Sequence, residues 1–186
     1  MLSFLKKVNI FSVLISSLTL LIGCLAPPTE DACHINTLLL YSSSFPADMW
    51  EEIGSRDLQG APSKLGIERA GTSFSTPTQG VAVHIIYKFS TIAEANEKYP
   101  QLESSWFNLT PEGSILLSPI ELQNLNLNSD NHKLDCSMKA IERCQFVAQY
   151  GNYIVEFKTD MPALTYSDLI HLLNEIDLNM LKCINK

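Results

Sequence analysis

The chain has 186 residues, with 13 Lys+Arg against 20 Asp+Glu and a net charge of −7. So acidic a chain is excluded as a nucleic-acid binder, because phosphate recognition needs clustered lysine and arginine. Its length fits one domain with a sizeable core, and no internal repeat divides it.

The first seven residues carry Lys6 and Lys7 and no acid, and an apolar run follows from Val8 to Ile22. Basic, then apolar, then small is the layout of a secretory signal. Fifteen helical residues reach roughly 22 Å, short of the roughly 30 Å hydrocarbon core, so the run predicts a signal peptide rather than a permanent span. At its end, Leu21-Ile22-Gly23-Cys24 resembles the lipobox of bacterial lipoproteins. The chemistry fits: a thiol is a strong nucleophile for accepting a diacylglyceryl group, and Gly23 leaves room for a peptidase. The resemblance implies removal of residues 1–23 and lipidation of Cys24 by two or three acyl chains of the palmitate class. A single chain holds a protein at a membrane only marginally, whereas two or more anchor it. Losing Lys6 and Lys7 leaves eleven cations against twenty carboxylates, a charge of −9. Anionic head groups repel such a domain, so the lipid must be what holds it there.

Residues 24–32 contain Pro27-Pro28 and read as an extended lipidated tether; residues 33–186 read as a single domain. Ile35 to Ser43 is apolar enough to predict a first strand, followed by a turn from Phe45 to Trp50. Gly54, Gly60 and Pro62 make 54–64 a loop. From Val81 to Phe89 the period of two predicts a half-buried strand, with His84 and Lys88 on its less buried face. Thr91-Ile92-Ala93-Glu94 matches a capping box. Ile92, Ala95, Tyr99, Leu102 and Trp106 continue it as a helix that Pro100 should kink or divide. Residues 114–128 fit either a short helix from Ser118-Pro119-Ile120-Glu121 or an irregular strand.

The strongest register signal lies further on. Cys144, Phe146, Ala148 and Tyr150 share one parity; Tyr153, Val155 and Phe157 share another. A two-residue Gly151-Asn152 turn pairs Tyr150 with Tyr153 and puts both sets on one side of the sheet. Leu134, Cys136 and Met138 extend this to a three-stranded meander. Pro162 and a Thr165 or Ser167 cap then introduce a helix, with Leu169, Leu172, Leu173, Ile176, Met180 and Cys183 as its apolar stripe. The predicted class is α+β: a mainly antiparallel sheet with both helices packed on one face.

Assigning Cys24 to lipid leaves Cys33, Cys136, Cys144 and Cys183, an even number suited to an oxidising compartment. Three pairings are possible. Cys136–Cys144 is favoured by symmetry about Ala140, which places the two opposite each other in a hairpin. Cys33–Cys183 is favoured because it would tie the start of the domain to the last helix. No CxxC pair is present and His34, His84, His132 and His171 lie far apart, so no metal is expected, nor does any motif call for a cofactor.

No catalytic set assembles from the sequence. Ser129-Asp130-Asn131 matches a motif of penicillin-binding proteins and class A β-lactamases, but its partner motifs are missing: the lone Ser-x-x-Lys is Ser3 to Lys6, and Lys158-Thr159 is followed by Asp160. Gly71-Thr72-Ser73-Phe74-Ser75 lacks the last glycine of a nucleophile elbow. Glu51 and Glu52, adjacent in sequence, point apart. His84 and Lys88 are the candidate pair for binding an anion. The leading expectation is therefore a non-catalytic envelope module that binds a protein or small ligand from a sheet with one face open. A hydrolase acting on envelope material is the alternative, and it requires two or three of His84, His132, Asp130, Glu121 and Ser129 to converge.

Overall fold

A seven-stranded, wholly antiparallel sheet organises the chain, in the order β1-β2-β3-β7-β6-β5-β4. The strands are β1 (Glu51–Glu52), β2 (Glu68–Ser75), β3 (Val81–Lys88), β4 (Ile115–Leu117), β5 (Asn131–Met138), β6 (Glu142–Tyr150) and β7 (Tyr153–Asp160). Among the described residues two α-helices accompany it, α1 (Ile92–Phe107) and α2 (Tyr166–Ile184). This computed structural model describes residues 33–46, 49–54, 68–78, 80–107 and 113–184. The expected signal peptide, Cys24 and the tether lie outside the described residues, as does nearly all of the 54–64 loop. Among the described residues, no helix is long and apolar enough to cross a membrane.

The meander forms in the register that the turn chemistry requires. Tyr150 pairs with Tyr153 across Gly151, which adopts φ 58°, and Cys136 faces Cys144. Only glycine enters that left-handed region without a steric cost. The main-chain N–H of Phe89 donates to Asn152 O and the Asn152 side chain donates back to Phe89 O, at 2.9 and 2.8 Å, so the hairpin tip is clamped to the end of β3. The disulfides are Cys33–Cys183 and Cys136–Cys144, the favoured pairing.

The antiparallel α+β class holds, but the helices do not share a face. Residues of opposite parity on the central strands feed two separate cores. Ile86, Phe146, Ala148, Tyr150, Val155 and Phe157 pack with Leu169, Leu172, Leu173, Ile176 and Met180 of α2. Ile85, Tyr87, Val147 and Ile154 pack with Ala95, Tyr99, Leu102 and Trp106 of α1. The central strands are apolar on both faces, so each face needs its own cover. α1 lies over β6 and β7, which leaves β2 on that face without a helix.

Both helices start as their caps dictate. Glu94 N–H donates to Thr91 Oγ1, and Glu94 Oε2 accepts from Ser90 N–H, both at 3.1 Å. Asp168 N–H donates to Thr165 Oγ1, and Asp168 Oδ2 accepts from Thr165 N–H at 2.8 Å. Pro100 does not divide α1. It sits on the exposed side with Asn96, whose carbonyl would have received the missing N–H, so water rather than the core meets the gap. Within 114–128 the short-helix reading is the one met, as a 3-10 turn at Ile120–Asn124; Leu122, Leu125 and Leu127 lie in no strand, and β4 precedes them.

The predicted first strand is absent. Ile35–Leu38 and Ser42–Ser44 are 3-10 turns, and His34 Nδ1 accepts from Asn36 N–H to start the first. Ile35, Leu38, Leu39 and Leu40 are buried all the same, as a cover over the α2 side of the sheet. An apolar run without alternation has no exposed parity, and burial on all sides suits an irregular plug as well as a strand.

Candidate functional site

The two candidate anion ligands do not converge. His84 is fully buried, not on an open face: its Nδ1 accepts from Leu40 N–H at 3.1 Å, and its ring meets Phe157 edge-on at 6.1 Å. The alternation along β3 predicts a less buried face for His84, but the 38–40 segment and α2 cover that face. Lys88 lies four residues along β3, roughly 13 Å away at the strand rise, and pairs with Glu68 at 3.4 Å.

Of the groups a hydrolase would need, Ser129 Oγ and His132 Nδ1 are 3.0 Å apart at the exposed start of β5. Asp130 is not aimed at them; its Oδ2 accepts from Gly151 N–H at 2.6 Å and so braces the hairpin turn. Glu121 lies elsewhere, in the cleft described next. Glu51 and Glu52 occupy β1 and are both exposed.

A cleft of about 570 Å3 opens where the disulfide-closed β5–β6 hairpin meets the segment leading into α2, a size suited to a small ligand or a few side chains. Met161, Pro162 and Leu164 form its inner wall, and Met138 and Ile141 the outer one. Met138 and Ile141 are 42% and 46% exposed, so this apolar surface is open to solvent. Glu121, Glu142 and Tyr166 stand at the rim. The Tyr166 hydroxyl donates to Glu142 Oε1. Burial, that bond and the charges of Glu142 and Glu121 push the Tyr166 hydroxyl up to about 12. The remaining described lining residues are small, apolar or hydroxyl-bearing; none is lysine, arginine or histidine.

Beneath α1 lies a second polar group. Glu156 is 2% exposed in mid-β7 and accepts from the Tyr87 hydroxyl at 3.1 Å. The Arg69 guanidinium stacks 5.4 Å from the centre of the Tyr87 ring, and its Nε is buried without a hydrogen-bond partner. Burial holds the Glu156 carboxyl up to about 7, against the lowering effects of Tyr87, Arg69 and Lys158. Lys158 lies 5.3 Å over the Trp106 ring, and burial lowers its pKa. Beside this set a smaller hollow of about 250 Å3 runs over Gly71, Ser73, Val83 and Ile85 on the part of the sheet that α1 leaves bare.

With this geometry in view, the fold is similar to a known one. The crystal structure of the extracellular domain of PknH from Mycobacterium tuberculosis superimposes with a TM-score of 0.51 at 13% identity, covering 81% of this chain and 94% of that chain. At that identity the likeness is one of fold. No family model and no curated protein matches the chain.

Sequence reading missed both sites. The hairpin-end cleft joins residues 121, 138–142 and 161–167, and no local pattern foretells that meeting. Glu156 did leave a signal, as a lone carboxylate inside Tyr153-Ile154-Val155-Glu156-Phe157.

Proposed function

We propose that this chain is an extracytoplasmic binding module, held at the outer side of a bacterial membrane by lipid on Cys24, with its ligand seat in the hairpin-end cleft. The observation that carries the binding reading is the cleft itself: an apolar, solvent-open concavity with a polar rim, on a domain with no assembled catalytic set in its sequence. Two disulfides on the four cysteines other than Cys24 support an oxidising compartment. The similarity to a domain described as extracellular supports the same location.

Two experiments test the two halves. Cys24→Ser should move the protein out of the membrane fraction of fractionated cells; an unchanged membrane fraction overturns the anchor. For the seat, Ala140→Trp fills the cleft mouth from an exposed turn position, where a surface change costs little stability. Native mass spectrometry of the full chain incubated with envelope extract should show a bound species that Ala140→Trp loses. Identical spectra for the two proteins would remove the cleft as the seat.

A further inference from the structure

Resting on that reading, we infer that the cleft takes a polypeptide segment that carries a lysine or arginine between apolar side chains. The positive charge follows from the rim. Glu142 accepts from the Tyr166 hydroxyl, Glu121 lines the same cleft, and no cation is among the described residues that line it. Neither carboxylate has an ion pair among those the structure shows. Two carboxylates at the rim of one apolar cleft make it electrostatically complementary to a ligand cation. A lysyl or arginyl stem would lie along Met138 and Ile141 while its head reaches the two carboxylates.

A polypeptide is indicated by how far the apolar surface extends. Ile115 of β4 pairs with Met138 of β5, which pairs with Glu142 of β6, so one cross-strand row runs from the sheet edge to the rim. Ile115 is 68% exposed at the edge end of that row, and Ile120 beside Glu121 is 66% exposed. Such a strip is longer than a small amine can cover. β4 is also the last strand of the sheet, so its outer backbone can pair with an added strand. A membrane surface is disfavoured as the occupant, since anionic head groups would face Glu121 and Glu142.

The test uses the full chain in neutral detergent micelles, labelled at its five methionine methyls. Met138 and Met161 report on the cleft, and buried Met180 of α2 on the fold. Four probes are titrated: the acetylated, amidated pentapeptide Leu-Arg-Leu-Arg-Leu, its glutamate and glutamine counterparts, and agmatine. The arginine peptide should shift Met138 and Met161 saturably and leave Met180 unmoved. Its affinity should fall at least tenfold in the Glu121→Gln/Glu142→Gln variant, which keeps an acceptor for Tyr166, and should weaken with added salt. Equal binding of the glutamate or glutamine peptide overturns the cationic requirement, and equal binding of agmatine overturns the polypeptide. If no peptide moves Met138 or Met161 the inference fails; the binding reading falls with it only if the Ala140→Trp comparison is also blank.

Discussion

Serine at both Cys33 and Cys183 should lower the stability of the oxidised protein by about 5 kcal/mol, twice the effect of serine at Cys136 and Cys144. The cysteines of the first pair are 150 residues apart in sequence, those of the second 8. Cross-linking removes loop entropy from the unfolded chain as the logarithm of the closed length, giving about 5 kcal/mol for the long loop and about 2.5 for the short one. Domains of this size are stable by only about 5–15 kcal/mol, so the long bridge is a large share of the total. Its native role points the same way. Ile35, Leu38, Leu39 and Leu40 follow Cys33 directly and cover the α2 side of the sheet without belonging to it. Leu40 N–H reaches His84 Nδ1, yet no strand ladder holds this segment, so the bridge to α2 is its covalent fastening. Guanidinium unfolding of the two double variants at neutral pH measures the order. A smaller loss at Cys33/Cys183 than at Cys136/Cys144 would show that loop length does not govern the effect.

The elements legible from sequence are those whose local chemistry and burial agree. Gly151-Asn152 requires a two-residue turn, the flanking parities demand one buried side, and the meander follows. The caps at Thr91 and Thr165 and the stripe from Leu169 to Cys183 were readable for the same reason. Two errors share a cause. Both the run Leu38-Leu39-Leu40 and the central strands are apolar at successive positions, so periodicity names neither the element nor the face. Treating the sheet as one-sided put both helices together and exposed His84; the paired residues Ile85 and Glu156, or Val147 and Glu156, belong to a second core under α1. The candidate cleft was illegible for another reason. Its walls come from a hairpin, a 3-10 turn and a helix start, brought together only by the tertiary fold.

Glu156 gives the fold a pH dependence that can be isolated by one substitution. In the native state its carboxyl sits on the sheet face that α1 covers, facing Tyr87 from β3, Arg69 from β2 and Lys158 from β7. Burial dominates and raises it from 4.5 to about 7. The folded protein therefore holds this proton up to about pH 7, while the unfolded chain releases it near 4.5. Between those values the unfolded state binds fewer protons, so stability falls as pH rises. The loss is absent below pH 4.5, accumulates through the window and is complete above 7. A shift of this size corresponds to about 3 kcal/mol. Glu156→Gln keeps a carbonyl oxygen to accept from Tyr87 and has no charge to desolvate. The variant should match the parent near pH 4.5 and be more stable by about 3 kcal/mol at pH 8. Unfolding free energies at pH 4.5, 6 and 8 decide it. Groups remote from Glu156 titrate alike in both proteins, so the difference curve reports Glu156 and its coupling to Lys158 and Tyr87. A difference that stays flat with pH would mean that this carboxyl is already ionised beneath α1 across the window, matched by Arg69 and Lys158.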